Sequence, residues 1–128
     1  MNSVNVTGNL AKDIVLQATA SGTKVVSNTI AVRRNRKNSS GEYDTDFINF
    51  VAWDVKAEYL SKYAKKGDKI ELTGTWQVRN YETDKGEKRR IDELIVETVN
   101  VWNVKEKEEK KEEEKLPTYK EVANQLPF

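Results

Sequence analysis

The stretch DFINFVAWDVKAEYLSKYAKKGDKIELTGTWQVRNY, residues 46–81, contains two β-rich runs with one helical run between them. In residues 46–54 and 69–81, alternate residues form two sets of different polarity. This period of two is typical of a β-strand whose two faces meet different surroundings. In the intervening VKAEYLSKYAKKG the apolar residues recur at helical spacing, and Gly67 is the predicted C-terminal stop. This segment therefore predicts strand, helix, strand.

Three further β-rich runs lie on either side of this segment. Two precede it, at residues 2–16 and 24–34, and one follows it at residues 88–102. The sequences NSSG (residues 38–41) and TDKG (residues 83–86) have the composition of tight turns and predict two hairpins. Five strands with one short helix between the third and fourth predict an all-β, five-stranded barrel of the OB type.

The third predicted strand has one apolar set and one set in which a polar residue lies between aromatics. The two sets are Ile48, Phe50 and Ala52, and Phe47, Asn49, Val51 and Trp53. A barrel has one interior, so we expect the set that contains asparagine to face outward.

The fourth predicted strand divides in the same way. Its apolar set is predicted to face the core and comprises Ile70, Leu72, Gly74, Trp76 and Val78. Arg79 and Tyr81 belong to the opposite, polar face. For Trp102, at the end of the fifth strand, the pattern does not decide between a place at the edge of the core and a place in an interface.

Basic residues cluster at both predicted hairpins, where the polar faces open. Aromatic rings and cations that alternate across strands suit single-stranded nucleic acid, because bases stack on rings while cations follow phosphates. Arg90 lies in the second cluster as well. The predicted nucleic-acid contacts are Arg33, Arg34, Arg36, Lys37, Phe47, Asn49, Trp53, Arg79, Tyr81, Lys85, Lys88 and Arg89.

The composition argues against most enzyme classes. The 128 residues include no cysteine and no histidine, so thiolate chemistry and the commonest proton-transfer group and metal ligand are missing. Asp44, Asp46 and Asp54 could ligate magnesium, but they form no recognisable site. We predict no enzymatic activity, no catalytic residue, no cofactor and no metal.

The charges balance over the whole chain, with 22 Lys+Arg against 21 Asp+Glu, but the composition changes near Asn103. Residues 105–115 read KEKEEKKEEEK and contain no apolar residue, so they cannot bury surface to offset their ordering entropy. We predict a folded domain over residues 1–104, a flexible charged linker over 105–117 and an apolar C-terminal tip over 118–128.

The apolar runs are far too short for a membrane span, and the N-terminus lacks the pattern of a signal peptide. The sequence therefore predicts a cytoplasmic protein with no membrane partner.

Four segments in order resemble bacterial and phage single-stranded DNA-binding proteins: MNSVNVTGNLAKD, DFINFVAW, YAKKGDKIELTGTWQVRNYE and LIVETVNVW. The resemblance covers about residues 1–102. It implies an OB fold, binding of single-stranded DNA without sequence preference in replication, recombination and repair, a homotetramer and association with the nucleoid. By position it implies base stacking by Phe47, Trp53 and Tyr81. The final Leu126, Pro127 and Phe128 resemble the family's partner-binding tip.

The sequence also departs from the family. Arg36 stands where relatives often carry an aromatic residue, and Asn9, Gln17 and Asp54 each lower the positive charge relative to many members. The residues before Leu126 lack the usual aspartates, which predicts weaker electrostatic steering of partners.

Two alternatives to single-stranded DNA binding remain open on the residues. One is a protein-interaction adaptor in which the outward aromatics form a subunit or partner interface. The other is a protein that binds single-stranded RNA, because stacking does not depend on the 2′-hydroxyl group.

Overall fold

The computed structural model describes residues 1–102, which hold six strands and one helix. The long strands coincide with the runs rich in β-branched and aromatic residues, which favour a pleated, half-buried backbone. The elements are β1 (Val4–Leu10), β2 (Gln17–Ala18), β3 (Lys24–Lys37), β4 (Tyr43–Trp53), α1 (Val55–Tyr63), β5 (Lys69–Glu82) and β6 (Lys88–Val101).

The five long strands form a closed barrel in the order β1-β5-β6-β4-β3, and β1 also pairs with β3. All neighbours are antiparallel except β4 and β6, which run parallel. The two-residue β2 adds to the outer edge of β3. This arrangement confirms the predicted five-stranded OB-type barrel with a helix between its third and fourth strands.

The core lies inside the barrel, where alternate residues of each strand meet. Helix α1 contacts β3, β4 and β6, and its Ala57 and Leu60 are buried in the same core. The largest fully buried side chains are Phe50, Leu10, Ile30, Leu60, Ile70, Leu72, Leu94, Val26 and Val96.

Several predicted boundaries were wrong. β1 ends at Leu10, so residues 14–16 do not continue it, and Val15 is exposed. The helix ends at Tyr63 and does not extend to Gly67. Gly67 instead adopts a φ of 91° in the turn before β5, where its N–H donates to the carbonyl of Leu10 at 2.8 Å.

Both hairpins extend beyond the barrel as two-stranded arms. The β3–β4 ladder continues to the Lys37–Tyr43 pair, and the β5–β6 ladder continues to Glu82–Lys88. Val78 was predicted to face the core, but it is 47% exposed because at this point the β5–β6 ladder leaves the barrel. Trp76 is half-buried and packs against the core, whereas Trp102 is 39% exposed at the surface.

A β-bulge keeps β6 in phase with the core. The strand carries one extra residue, Glu97, opposite the junction of Thr73 and Gly74. Because an extra residue shifts the alternation by one position, Val96 and Val101 both face inward although they are five positions apart.

Gly74 lies against the backbone of β6 beside this bulge. A Cβ atom built at position 74 would overlap the carbonyl oxygen of Ile95. We expect Gly74→Ala to lower the free energy of unfolding by about 1–3 kcal/mol, because the backbone must shift to make room. Urea denaturation measures this change. Glu97→Ala, at the exposed bulge, is the control and should stay within about 0.5 kcal/mol of the wild type. Equal stabilities for the two variants would contradict the prediction.

Candidate functional site

The outer face of β4 carries exposed aromatic side chains. Phe47 is 68% exposed and Trp53 is 37% exposed, whereas the intervening Phe50 and Ala52 are buried. Asn49 is exposed on the same face as the two aromatics. This confirms the predicted division of the strand, with one difference. Val51 belongs to the outward set but is only 6% exposed, because it lies between the neighbouring strands β3 and β6.

A shallow groove crosses the outer face of four strands at this point. The register places Ser27 of β3 and Ile95 of β6 on either side of Val51, and Thr75 of β5 lies beyond Ile95. Side chains from β3, β4, β5 and β6 therefore form one continuous surface. The groove is lined by Val25, Ser27, Val51, Trp53, Gln77, Arg79, Glu93 and Ile95.

Asn49 is oriented by its cross-strand partner. The hydroxyl of Thr29, directly opposite in β3, donates to Asn49 Oδ1 at 3.0 Å. Thr29 is itself nearly buried, at 6% exposure, so the bond fixes one side of the amide. The amide nitrogen of Asn49 is left to donate on the outer face.

The first arm places its basic residues on opposite faces. Arg33 pairs with Thr45 and shares the outer face with Phe47, and its guanidinium carbon lies 4.0 Å from the ring centroid of Tyr43. Arg34 points to the other face, because neighbouring residues of a strand alternate. There Asp46 accepts two hydrogen bonds from it, both 3.0 Å long. The prediction had grouped the two arginines together.

The second arm carries Tyr81, which is 46% exposed. Arg89 lies directly opposite Tyr81 in the β5–β6 ladder, and Lys88 lies one residue further along. The turn between the strands is closed by the Thr83 N–H, which donates to the carbonyl of Glu87 at 2.8 Å, as the TDKG motif predicted. The arm thus presents an aromatic ring beside cations.

Among residues 1–102, four of the arginines form ion pairs with carboxylates. Asp46 and Asp44 lie at 3.0 Å and 4.0 Å from Arg34, and Glu93 lies at 3.1 Å from Arg79 in the groove. The remaining pairs are Arg89 with Glu87 and Arg90 with Asp92, each 2.7 Å long. These cations are partly neutralised by carboxylates of the same chain.

The sequence analysis did not single out Tyr43. The third strand was expected to begin at Asp46, which would have left Tyr43 in a loop. The structure begins β4 at Tyr43 and puts it on the outer face. The available signal was the period-two series Tyr43, Thr45, Phe47, which continues the alternation of the strand toward the turn.

The aspartates considered for magnesium are not brought together. Asp44 and Asp46 surround Arg34, whereas Asp54 lies at the opposite end of β4. Asp54 has a φ of 56° and turns the chain from Trp53 into α1. Within residues 1–102, there is no cluster of three or more acidic or other metal-binding side chains.

In the same described range, no helix has the length and apolarity needed to cross a membrane. The predicted linker over residues 105–117 and the predicted partner-binding residues Leu126, Pro127 and Phe128 lie outside the described residues.

The fold and its exposed aromatic face define an OB-type barrel with a strand surface suited to flat, unsaturated ligands. Residues 1–102 match the single-strand binding protein family. The chain belongs to this family.

Named relatives agree with this assignment. The chain is 42% identical over 101 residues to single-stranded DNA-binding protein 1 of Streptococcus pyogenes, a match that covers 79% of this chain and 78% of the relative. It is 41% identical over 97 residues to single-stranded DNA-binding protein 3 of Streptococcus agalactiae, covering 76% and 70%. It is also 42% identical over 98 residues to single-stranded DNA-binding protein 1 of Lactococcus lactis, covering 77% and 65%.

The Arg34–Asp46 pair predicts a measurable shift in acidity. The hydrogen bonds from Arg34 lower the pKa of Asp46; desolvation opposes this, and the Coulomb attraction of Arg34 adds to it. Because the pKa is lower in the folded state, the pair stabilises the fold above the ordinary aspartate pKa. That contribution is lost as the pH falls through the folded value.

In Arg34→Gln we therefore expect the pKa of Asp46 to rise toward its ordinary value of 3.8. The carboxyl carbon shift of Asp46, followed by NMR across the acid range, measures the change. Arg79→Gln, which removes a guanidinium from the other arm, is the control and should leave Asp46 unaffected. An unchanged Asp46 midpoint in Arg34→Gln would refute the assignment.

Proposed function

We propose that this chain binds single-stranded DNA without sequence preference. The observation that carries the proposal is the exposure of Phe47 and Trp53 on a strand whose inward-facing Phe50 and Ala52 are buried. Exposure of a large aromatic ring to water is unfavourable, and a ligand that covers the ring removes apolar surface from water. Membership of the single-strand binding protein family and the names of the relatives support DNA as that ligand.

In this mechanism bases stack on the rings while cations and amides contact the backbone. Each base–aromatic stack contributes on the order of 1–3 kcal/mol and tolerates any base, because every base has a π-face. No bond is made or broken. We assign the contacts to Arg33, Arg36, Lys37, Phe47, Asn49, Trp53, Arg79, Tyr81, Lys85, Lys88 and Arg89, and to Arg34 where the strand passes to the other face of the first arm.

The internal ion pairs are compatible with this role. An exposed arginine–carboxylate pair contributes about 0–1 kcal/mol, so a phosphate can displace the carboxylate at small cost. Arg79 is the arginine that most directly faces the groove, and its partner Glu93 is only 12% exposed. Because displacing Glu93 would leave a nearly buried carboxylate unpaired, Arg79 would keep this partner and contact a phosphate through the guanidinium N–H groups that Glu93 does not occupy.

We further propose a cellular role for the whole chain. The barrel would coat exposed strands during replication, recombination and repair in the cytoplasm, in association with the nucleoid, as a homotetramer. Residues 105–117 would tether the tip over 118–128, and Leu126, Pro127 and Phe128 would recruit proteins of DNA metabolism.

Two similarly exposed tryptophans allow a matched test. Trp53 is 37% exposed in the proposed surface, whereas Trp102 is 39% exposed elsewhere, with Lys69 over its ring and its indole N–H donating to Glu71. We expect Trp53→Ala to weaken binding of a dT oligomer roughly five- to 150-fold, because one stacking contact is lost. Trp102→Ala should bind like the wild type. Fluorescence anisotropy of a labelled oligomer measures both, with thermal unfolding as the check on folding.

The alternatives give different results in the same assay. The log of the wild-type affinity should fall by about 0.7 for each phosphate contact per tenfold rise in salt, and duplex DNA should bind more weakly. Tighter binding of a matched RNA oligomer would favour the RNA alternative. If no oligomer binds the wild-type protein, the adaptor alternative replaces the proposal.

The tip is tested separately from the barrel. Deletion of residues 126–128 should leave dT affinity within about twofold, because the stacking residues all lie in the barrel. It should abolish pull-down of replication and repair proteins from a bacterial extract. Deletion of three residues inside the linker, 109–111, is the matched control and should retain the pull-down. Undiminished capture by the tip deletion would remove the tip from the mechanism.

A further inference from the structure

Tyr43 lies on the same strand face as the two aromatics of the proposed surface. It is the first residue of β4 and is 39% exposed. Because side chains alternate along a strand, Tyr43 shares its face with Phe47, four residues further on. At about 3.4 Å per residue, the two rings are roughly 14 Å apart along the strand. Tyr43 thus extends the aromatic face onto the first arm.

The ring of Tyr43 is already held against a guanidinium group. The guanidinium carbon of Arg33 lies 4.0 Å from the ring centroid, and Lys37 Nζ lies 5.9 Å from it. Lys37 is also the direct cross-strand partner of Tyr43. A cation at this distance is attracted to the face of the ring, so Arg33 and Tyr43 orient each other before any ligand arrives.

The two acidic residues of β4, Asp44 and Asp46, do not neutralise this pair, because they contact Arg34 on the other face of the arm. Asp46 and Asp44 both lie against Arg34, at 3.0 Å and 4.0 Å. Arg33 lies on the outer face, opposite Thr45. The arm therefore has one face with a paired arginine and one face that presents an arginine and an aromatic ring together.

An ordered turn supports the position of Tyr43. The side-chain oxygen of Asn38 accepts hydrogen bonds from the N–H groups of Ser40 and Glu42, at 2.9 Å and 3.0 Å. The Asn38 N–H donates to the Glu42 carbonyl at 2.7 Å. The residue immediately before Tyr43 is thus fixed by two bonds, which limits the entropy lost when a ligand binds beside it.

We propose that Tyr43 and Arg33 form an additional nucleotide subsite, in which a base stacks on the face of the Tyr43 ring that Arg33 does not cover and the Arg33 guanidinium contacts the adjoining phosphate. The subsite rests on the proposed function, since its ligand is a nucleotide of the strand that crosses Phe47 and Trp53. A ring and a cation supply the two kinds of contact that a single nucleotide offers. The subsite lengthens the path of the strand along the first arm.

Three substitutions test the ring and the cation separately. Tyr43→Leu keeps an apolar side chain but removes the π-face, and Tyr43→Phe keeps the π-face but removes the hydroxyl. With a dT oligomer of about 16 nucleotides, the upper end of the site size of an OB fold, we expect Tyr43→Leu to weaken binding roughly five- to 150-fold. Tyr43→Phe should bind within about twofold of the wild type.

The cation is tested by the salt dependence of binding. Arg33→Gln should lower the slope of log affinity against log salt concentration by about 0.7, the contribution of one phosphate, whereas Tyr43→Leu should leave that slope unchanged.

The outcomes distinguish this inference from the function on which it rests. Loss of affinity in Tyr43→Leu but not in Tyr43→Phe supports the subsite. Wild-type affinity in Tyr43→Leu, measured beside a weakened Trp53→Ala, overturns the subsite and leaves the proposed function standing. Failure of the wild-type protein to bind the oligomer at all overturns the function itself.

A second measurement avoids substitutions altogether. An oligomer that carries 5-iododeoxyuridine is irradiated with the wild-type protein, and the cross-linked peptides are mapped by mass spectrometry. A cross-link at Tyr43 supports the subsite. Cross-links at Phe47 or Trp53 without one at Tyr43 overturn it.

Discussion

The short parallel contact between β4 and β6 is the constraint on which the rest of the architecture depends. It consists of the pairs Phe50–Leu94 and Val51–Ile95. Phe50 and Leu94 are both fully buried, so the pairing that joins the two hairpins also fills the centre of the core. Without this contact the β3–β4 and β5–β6 hairpins would be joined only through β1, and the barrel would be open between β4 and β6.

The same contact creates the outer surface. Because alternation puts Val51 and Ile95 on the side opposite to Phe50 and Leu94, joining the hairpins through the core also joins their outer faces. The bulge at Glu97 lets β6 keep this phase in its first half and still bury Val101 in its second half. Core packing and the continuity of the groove are therefore consequences of a single register.

The electrostatics of this surface are set by pairing within the arms. The proposed interface contains many basic residues, but Arg34, Arg79, Arg89 and Arg90 each contact a carboxylate of the same chain. The near balance of formal charge over the chain, +1 in total, is thus accompanied by pairing of opposite charges within this surface. In the proposed binding mode, aromatic stacking on such a surface would supply a larger share of the binding free energy, so the positions of Phe47, Trp53 and Tyr43 would matter more than the number of cations.

Much of the candidate site could be predicted by reading each strand as two faces. Phe47 and Trp53 could be assigned to the outside because the alternative set of Ile48, Phe50 and Ala52 is wholly apolar and suits a core. The same rule failed for Val78, which has an apolar side chain but lies where the hairpin leaves the barrel. It also failed for Tyr43, because the length of an arm beyond the barrel depends on cross-strand pairing and leaves little mark on local composition.

The amino-acid sequence by itself determined the kind and order of the elements and the two faces of the central strands. These properties follow from the period of apolar residues and from turn-forming residues, both of which act over a few neighbours. Only the tertiary structure decided that Arg33 and Arg34 lie on opposite faces of the first arm, that carboxylates pair with most of the arginines, and that Arg33 lies over Tyr43. Those facts depend on register between strands, and register is fixed when the whole barrel closes around its core.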